Sequence, residues 1–384
     1  MDYGKRGRKV NSRRRLFLRL IGVFVLTVFL CLMISTERFV AFGGVPDEAS
    51  LARIQASPHF DRTKNEFVNT EATGLMKVSG WESGKHWMFG DEQRVPPCTL
   101  PVVSGGLPKD PPASGLRVTW LGHSTTLVEI DGARVLTDPN WSERSSPSRW
   151  VGPKRFHPPP IAIADLPPID AVVISHEHFD HLDMSTIRAL AARGTAFHVA
   201  LGVGAHLLAW GVPRDRVFEH DWWERATIAP GVTVVSTPAR HFNGRGIPWR
   251  LGALWTSWAI EGPGHRVYFS GDTGLEQAFR EIAEREGPFD VVMLEIGQFH
   301  EDWGDIHLGP KGALAGTKML GATRLLPIHW GTFNLAYHAW DDPIETVTRD
   351  ASPNDVTVLT PRLGQPIEPT TDPKTDAWWK TACP

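Results

Sequence analysis

Ala171-Val172-Val173-Ile174-Ser175-His176-Glu177-His178-Phe179-Asp180-His181-Leu182-Asp183 is the stretch on which both fold and chemistry turn. Its first four residues read as a buried strand, and the next nine hold three histidines, one glutamate and two aspartates. Polar groups massed at the end of an apolar strand are costly to bury unless something pairs with them. A metal ion does so. Imidazole nitrogen and carboxylate oxygen are ligands that first-row dications such as Zn2+ accept, and histidines at i and i+2 of an extended strand end can reach one ion. Asp180 and His181 lie past the strand end, on a turn that can address a neighbouring ion, so the motif suggests a two-metal site.

Two metals need more than four ligands, and the same local pattern recurs downstream. Thr233-Val234-Val235-Ser236-Thr237 leads through Pro238-Ala239-Arg240 to His241, Val267-Tyr268-Phe269-Ser270-Gly271 leads to Asp272, and Arg324-Leu325-Leu326-Pro327-Ile328 leads to His329. Each polar residue terminates an apolar strand. Ligands gather at strand ends in α/β sheets, so four such strands can bring seven ligands to one sheet edge. Any one of these three residues alone could be structural; together with the cluster they read as ligands.

The chain has 384 residues with a net charge of −3. Residues 1 to 15 carry seven Lys/Arg and one Asp, so +6 sits there and the remaining 369 residues hold −9. That balance excludes a nucleic-acid binder, which needs concentrated Lys/Arg on its folded body. Residues 16 to 34 are apolar except for Arg19, long enough for a bilayer core of roughly 30 Å, and the basic block before them places the rest of the chain on the extracytoplasmic side. Arg14-Arg15-Leu16-Phe17-Leu18-Arg19 resembles a twin-arginine export signal, with Ala41-Phe42-Gly43 as a small-residue cleavage site; an uncleaved anchor is the other reading. Cys31 lacks the small residue before it that a lipoprotein anchor requires. Three cysteines are too few for a disulfide scaffold or a cysteine-based zinc site. Cys98 and Cys383 could pair in an oxidising compartment, yet nothing in the sequence brings them together, and the thiols read as incidental.

The chain divides into four segments: 1–44 as the membrane-targeting segment, 45–115 as an irregular N-terminal extension, 116–366 as a mixed α/β catalytic domain and 367–384 as a tail. Strands are expected over 116–121, 126–130 and 133–137, the last two joined by an Asp131-Gly132 turn. Helices are expected from Asp183 to Arg193, over 275–286 and after Gly309-Pro310.

The ordered ligand set resembles the metallo-β-lactamase superfamily, which implies a four-layer αββα sandwich with a dinuclear metal site at one edge. Trp120-Leu121-Gly122-His123, Thr137-Asp138-Pro139, Gly271-Asp272-Thr273-Gly274 and Ile328-His329-Trp330-Gly331-Thr332-Phe333 are among the words, spread over about 116 to 335, that resemble its N-acyl-phosphatidylethanolamine-hydrolysing phospholipase D subfamily. Mammalian members carry Asn and Tyr where this chain has Glu177 and Phe179. The resemblance implies that His176, His178 and His241 hold one zinc, that Asp180, His181 and His329 hold a second, and that Asp272 bridges them. A hydroxide between two Zn2+ would then attack phosphorus, releasing phosphatidic acid and an N-acylethanolamine. Imidazole and carboxylate also suit iron or manganese.

Other roles stay open at this level. Asp138 is an acid orienting a ligand histidine or the water, or else a turn former before Pro139. His123 is a similar helper or a strand-end cap. His307 aligns with a family histidine near the bound phosphate, as an oxyanion contact, or is an exposed loop histidine. Glu177 is a structural partner rather than a base. Trp222-Trp223 and Trp378-Trp379 contact lipid or pack in the core. The expected partner is a phospholipid at a membrane surface, and family precedent implies a homodimer. A sugar-phosphate lactonase or another phosphodiesterase is the runner-up, because the metal site alone does not choose between carbonyl and phosphorus. A non-catalytic tethered binding protein is the third reading.

Overall fold

The computed structural model describes residues 19–23, 40–75, 77–245, 252–300, 302–371 and 373–383. The twin-arginine motif, Cys31 and most of the apolar run of 16–34 lie outside the described residues; among those described, no helix is long and apolar enough to cross a membrane.

The chain enters through helix α1 (Glu48–Ala56), a hairpin of β1 (Phe60–Asp61) and β2 (Glu66–Phe67), and helix α2 (Gly80–Phe89). The 45–115 segment therefore carries regular structure that its Pro- and Gly-rich composition hid. Ser79 and Glu82 are the reason for α2: the Ser79 Oγ accepts the Glu82 N–H while the Glu82 carboxylate accepts the Ser79 N–H, a reciprocal capping box. Asp47 caps α1 by accepting from the Ser50 N–H.

The first sheet is built from β3 (Leu116–Gly122), β4 (Thr125–Ile130), β5 (Ala133–Thr137), β6 (Ala171–Ile174), β7 (Ala196–Ala200) and β8 (Val217–His220), side by side in that order. Asp131 and Gly132, both at positive φ, make the β4–β5 turn. From β5 onward the pairs are parallel, so the chain must cross over, and α3 (Met184–Ala191) and α4 (Gly204–Ala209) are the connections after β6 and β7. Asp183 caps α3 through the Thr186 N–H.

The second sheet repeats the plan: β9 (Arg225–Ala229), β10 (Val232–Thr237), β11 (Ser257–Glu261), β12 (Arg266–Phe269), β13 (Val291–Glu295), β14 (Arg324–Ile328) and β15 (Thr357–Val358). Its parallel half crosses over through α5 (Ala278–Glu286), α6 (Gly309–Met319) and α7 (Asp342–Ala351). Finally β16 (Pro366–Ile367) returns to pair antiparallel with β3, so the boundary placed after residue 366 cuts a strand of the first sheet.

Alternation along the strands produces the layers. Val128, Val135 and Val173 join Val234, Trp258 and Ile260 in one buried cluster between the sheets. Their neighbours Leu127, Leu136, Val172 and Ile174 point the other way, joining Ile187 and Leu190 of α3. Phe279 and Ile282 of α5 and Ile344 and Val347 of α7 cover the second sheet. Two sheets with helices outside them are the sandwich expected of the resemblance.

The tail is also part of this core. Trp378 and Trp379 are buried against Trp330, with ring centroids 5.6 and 5.9 Å away, and Trp222 is likewise buried, donating to the Trp255 carbonyl. These tryptophans pack inside and do not face lipid. Cys98 and Cys383 form a disulfide across 285 residues, correcting the reading of these thiols as incidental. Sequence distance concealed the pairing, because β16 and the buried tryptophans bring the C-terminus back to the extension.

Closing so long a loop restricts the unfolded chain, so replacing both cysteines with serine is expected to lower unfolding stability by about 2–5 kcal/mol. Urea denaturation of the two proteins checks this; equal midpoints would mean that packing alone holds the tail.

Candidate metal centre

Apart from His307, which lies just before α6, every candidate residue follows the carboxyl end of a strand on one rim of the sandwich. His123 follows β3, Asp138 follows β5, His176 to His181 follow β6, His241 follows β10, Asp272 follows β12 and His329 follows β14. Close approach of β6 and β12 is possible because Gly271 has φ of +56° and no side chain: a Cβ there would lie 2.4 Å from the Ser175 Cβ. His123, Asp138 and His329 also sit at positive φ, at 54°, 32° and 64°. Left-handed backbone at three non-glycine residues of one rim is strain that the surrounding strands must enforce, and it aims these side chains at the shared space.

The rings are fixed from behind. His181 Nδ1–H donates to Asp138 Oδ2 at 2.7 Å, His176 Nδ1–H to Ser175 Oγ at 2.9 Å, and His241 Nδ1–H to the Ile306 carbonyl at 2.9 Å. His329 Nδ1–H faces the Gly297 carbonyl at 3.3 Å. Each bond assigns the proton to Nδ1 and turns the Nε2 lone pair inward, the usual arrangement behind a metal-bound histidine. Asp138 is itself held by the Ser175 N–H and hydroxyl, so it orients His181 and is no mere turn former.

The inward atoms make two adjoining groups. His176 Nε2, His178 Nδ1 and His241 Nε2 converge, with His178 Nδ1 2.8 and 3.3 Å from the other two. Asp180 Oδ2 lies 3.2 Å from His181 Nε2 and 3.3 Å from His329 Nε2. Asp272 stands between the groups: its Oδ2 is 3.1 Å from His181 Nε2 and 3.9 Å from both His176 and His241 Nε2, while its Oδ1 is 3.2 Å from His329 Nε2. That Oδ1 is buried without a hydrogen-bond partner. Imidazole acceptors this close repel one another unless a cation lies between them, and an orphaned carboxylate oxygen calls for the same thing. The donor set fits first-row dications.

Burial disfavours charge at every one of these groups, and at two of the histidines it prevails. It pushes the His176 and His241 imidazoles well below their usual range, leaving neutral rings with free lone pairs. For Asp180 and Asp272 the neighbouring His181 overrides burial and holds both carboxyls well below the usual range. Reciprocally, Asp272 and Asp180 overcome burial at His181 and raise it, and at His329 the raised value is about 10. Protons thus occupy the carboxylate-rich half where a metal would bind.

His123 and His307 complete the rim. His123 Nε2–H donates to Asp180 Oδ2 at 2.8 Å, and burial pushes its pKa down to about 3, so it is a neutral partner that orients Asp180. His307 is only slightly exposed; its Nδ1–H donates to Glu295 at 2.7 Å and its ring lies 5.1 and 5.6 Å from those of His241 and His329. It is not an exposed loop histidine. Glu177 is buried with its carboxylate 2.7 Å from His206 Nε2, a structural pair as expected.

Two contributors escaped the sequence reading. Glu295 ends β13, fully buried, and accepts from Thr273 N–H as well as His307. An acid closing the apolar run Val291-Val292-Met293-Leu294 is the same signal that marked His241 and Asp272. Asn69 belongs to the extension: its amide donates to the His241 carbonyl at 2.8 Å and accepts the His241 N–H at 3.0 Å. No local pattern announces it.

Residues 133–330 match the model of the Beta-lactamase superfamily domain. The chain belongs to the metallo-β-lactamase superfamily. An uncharacterised protein of Mycobacterium tuberculosis is 49% identical over 289 residues, covering 74% of this chain and 77% of that one. The Caenorhabditis elegans N-acyl-phosphatidylethanolamine-hydrolyzing phospholipase D 1 is 35% identical over 259 residues, covering 65% and 73%. Among solved structures, Igni18, a metallo hydrolase of Ignicoccus hospitalis, superposes with a TM-score of 0.51 at 25% identity over 66% of this chain and 97% of its own. The chain is accordingly a metal-dependent hydrolase of this superfamily.

Because His181 and His329 hold protons without metal, metal loading is expected to release at least one proton per chain near neutral pH, and affinity is expected to rise with pH toward the His329 value of about 10. Pipetting Zn2+ into weakly buffered apoprotein with a pH indicator checks this. Asp138→Asn is expected to weaken metal binding by about 10- to 100-fold, read by chelator competition.

Proposed function

We propose that the chain is a dinuclear zinc phosphodiesterase of phospholipase D type, hydrolysing N-acyl-phosphatidylethanolamine or a related phospholipid. The observation that carries the reading is Asp272 between two ligand groups, one of three histidines and one of Asp180, His181 and His329. In this reading His176, His178 and His241 hold the first ion, Asp180, His181 and His329 the second, and Asp272 serves both. Two bound dications supply Lewis acidity for the phosphoryl oxygens and lower the pKa of a nearby water.

The chain's own residues do the rest. Asp138 and His123 hold His181 and Asp180 in place, so the centre needs little reorganisation during reaction. Glu295 accepts the His307 Nδ1–H and fixes the ring, so that with a proton on both nitrogens His307 donates Nε2–H to a substrate oxygen. A transition state with developing negative charge on phosphoryl oxygens is served by such a positioned group more than by a covalent nucleophile. Hydrolysis then places the water oxygen on phosphorus and its proton on the departing N-acylethanolamine.

The C. elegans relative's name supports the lipid substrate. So does the basic and apolar composition of residues 1–44, which would deliver the catalytic domain to the outer face of a membrane where such a lipid lies.

Dialysis against a chelator is expected to abolish release of N-acylethanolamine from N-acyl-phosphatidylethanolamine vesicles, and Zn2+ to restore it; activity indifferent to chelation would refute the reading. His307→Ala is expected to lower kcat about 100-fold with metal content unchanged. A loss confined to KM would remove His307 from the chemistry.

A further inference from the structure

A second group of potential ligands lies outside the seven-residue centre. His86 from α2 and His300 and Asp302 from the segment after β13 bring one ligand atom each to a common point. His86 Nδ1 is 3.5 Å and His300 Nδ1 3.3 Å from the same oxygen, Asp302 Oδ2.

Both nitrogens are acceptors. His86 Nε2–H faces Glu92 Oε1 at 3.3 Å, which leaves the lone pair on Nδ1. His300 Nδ1 accepts the Asp302 N–H at 3.2 Å, a long bond that its lone pair would exchange for a bond to an ion. The His86 lone pair and the Asp302 carboxylate oxygen facing it repel, and among the described residues no Lys or Arg pairs with Asp302 to relieve this. A cation at their meeting point does. The separations also have the right size, because bonds of 2.0–2.1 Å in a tetrahedron put neighbouring ligand atoms about 3.3–3.4 Å apart.

The surroundings resemble a built site. Glu92, itself paired with Arg94 at 2.9 Å, backs His86 as a carboxylate backs a zinc-bound histidine. Tyr337 stacks on the His86 ring with centroids 4.9 Å apart and planes 4° from parallel, which fixes the ring's orientation. The three side chains are 35%, 15% and 23% exposed, so water can complete the coordination.

We propose that His86, His300 and Asp302 form a separate binding site for a borderline dication of the Zn2+ class, which fastens α2 to the loop leading to His307. The backbone already joins the same two segments, through Lys77 N–H to the Asp302 carbonyl and Gly304 N–H to the Leu75 carbonyl. Trp303, within this loop, lies 5.8 Å from both His307 and Tyr337. The ion would therefore hold the extension at the mouth of the catalytic rim. This site does not depend on what the enzyme hydrolyses.

Equilibrium dialysis of untagged full-length protein at micromolar free Zn2+, followed by elemental analysis, tests it. The wild type is expected to bind one more equivalent than His86→Ala and one more than Asp302→Asn, whatever the total. In an Asp272→Asn background, which impairs the seven-residue centre, adding His86→Ala is expected to remove one further equivalent. Equal counts in wild type and both single variants would overturn the proposal, as would an Asp272→Asn count unaffected by His86→Ala; failure of the dinuclear reading would change only the Asp272→Asn step.

Discussion

Asp272 is a buried carboxylate held between two sets of imidazoles, with one oxygen lacking any hydrogen-bond donor. Such an arrangement is unstable in isolation, and the structure around it is organised to make it tolerable. Each neighbouring histidine is anchored through its outer nitrogen, so the inner lone pairs cannot turn away. The strands β3, β5 and β14 lead into left-handed residues and β12 into a glycine, conformations the chain would not adopt without support from both sheets. The fold acts as a clamp on a cluster whose carboxylates need protons or cations beside them.

Much of this was legible because the signal is local. An apolar strand that runs into His or Asp can be read one segment at a time, and four such segments in one chain converge because parallel strands place their carboxyl ends on one edge. Asp138 was readable for the same reason. Contacts that depend on distance were not. Asn69 reaches His241 across 172 residues, and Cys98 reaches Cys383 across 285. Neither contact has a periodicity or spacing that precedes folding. Glu295 lies between these cases: its strand carries the signal, but a single acid at a strand end is ambiguous until His307 is seen beside it.

The extension changes standing because of its contacts. Composition alone made residues 45–115 look like irregular covering, whereas α1 and α2 are capped helices and the chain between them touches the metal rim. Thr73 and the Ala72 carbonyl bind the Arg240 guanidinium, next to His241, and Thr70 binds the buried Glu276. This support comes from residues before 133, where the matched family region begins.

The central claim is that one buried centre activates water against phosphorus. Hydrolysis of N-acyl-phosphatidylethanolamine in 18O-labelled water, with both products analysed by mass spectrometry, tests this most directly. Metal-dependent turnover is predicted, with the label in phosphatidic acid and none in the N-acylethanolamine. Label in the N-acylethanolamine, or an unreacted lipid in the presence of fully metal-loaded protein, would contradict it.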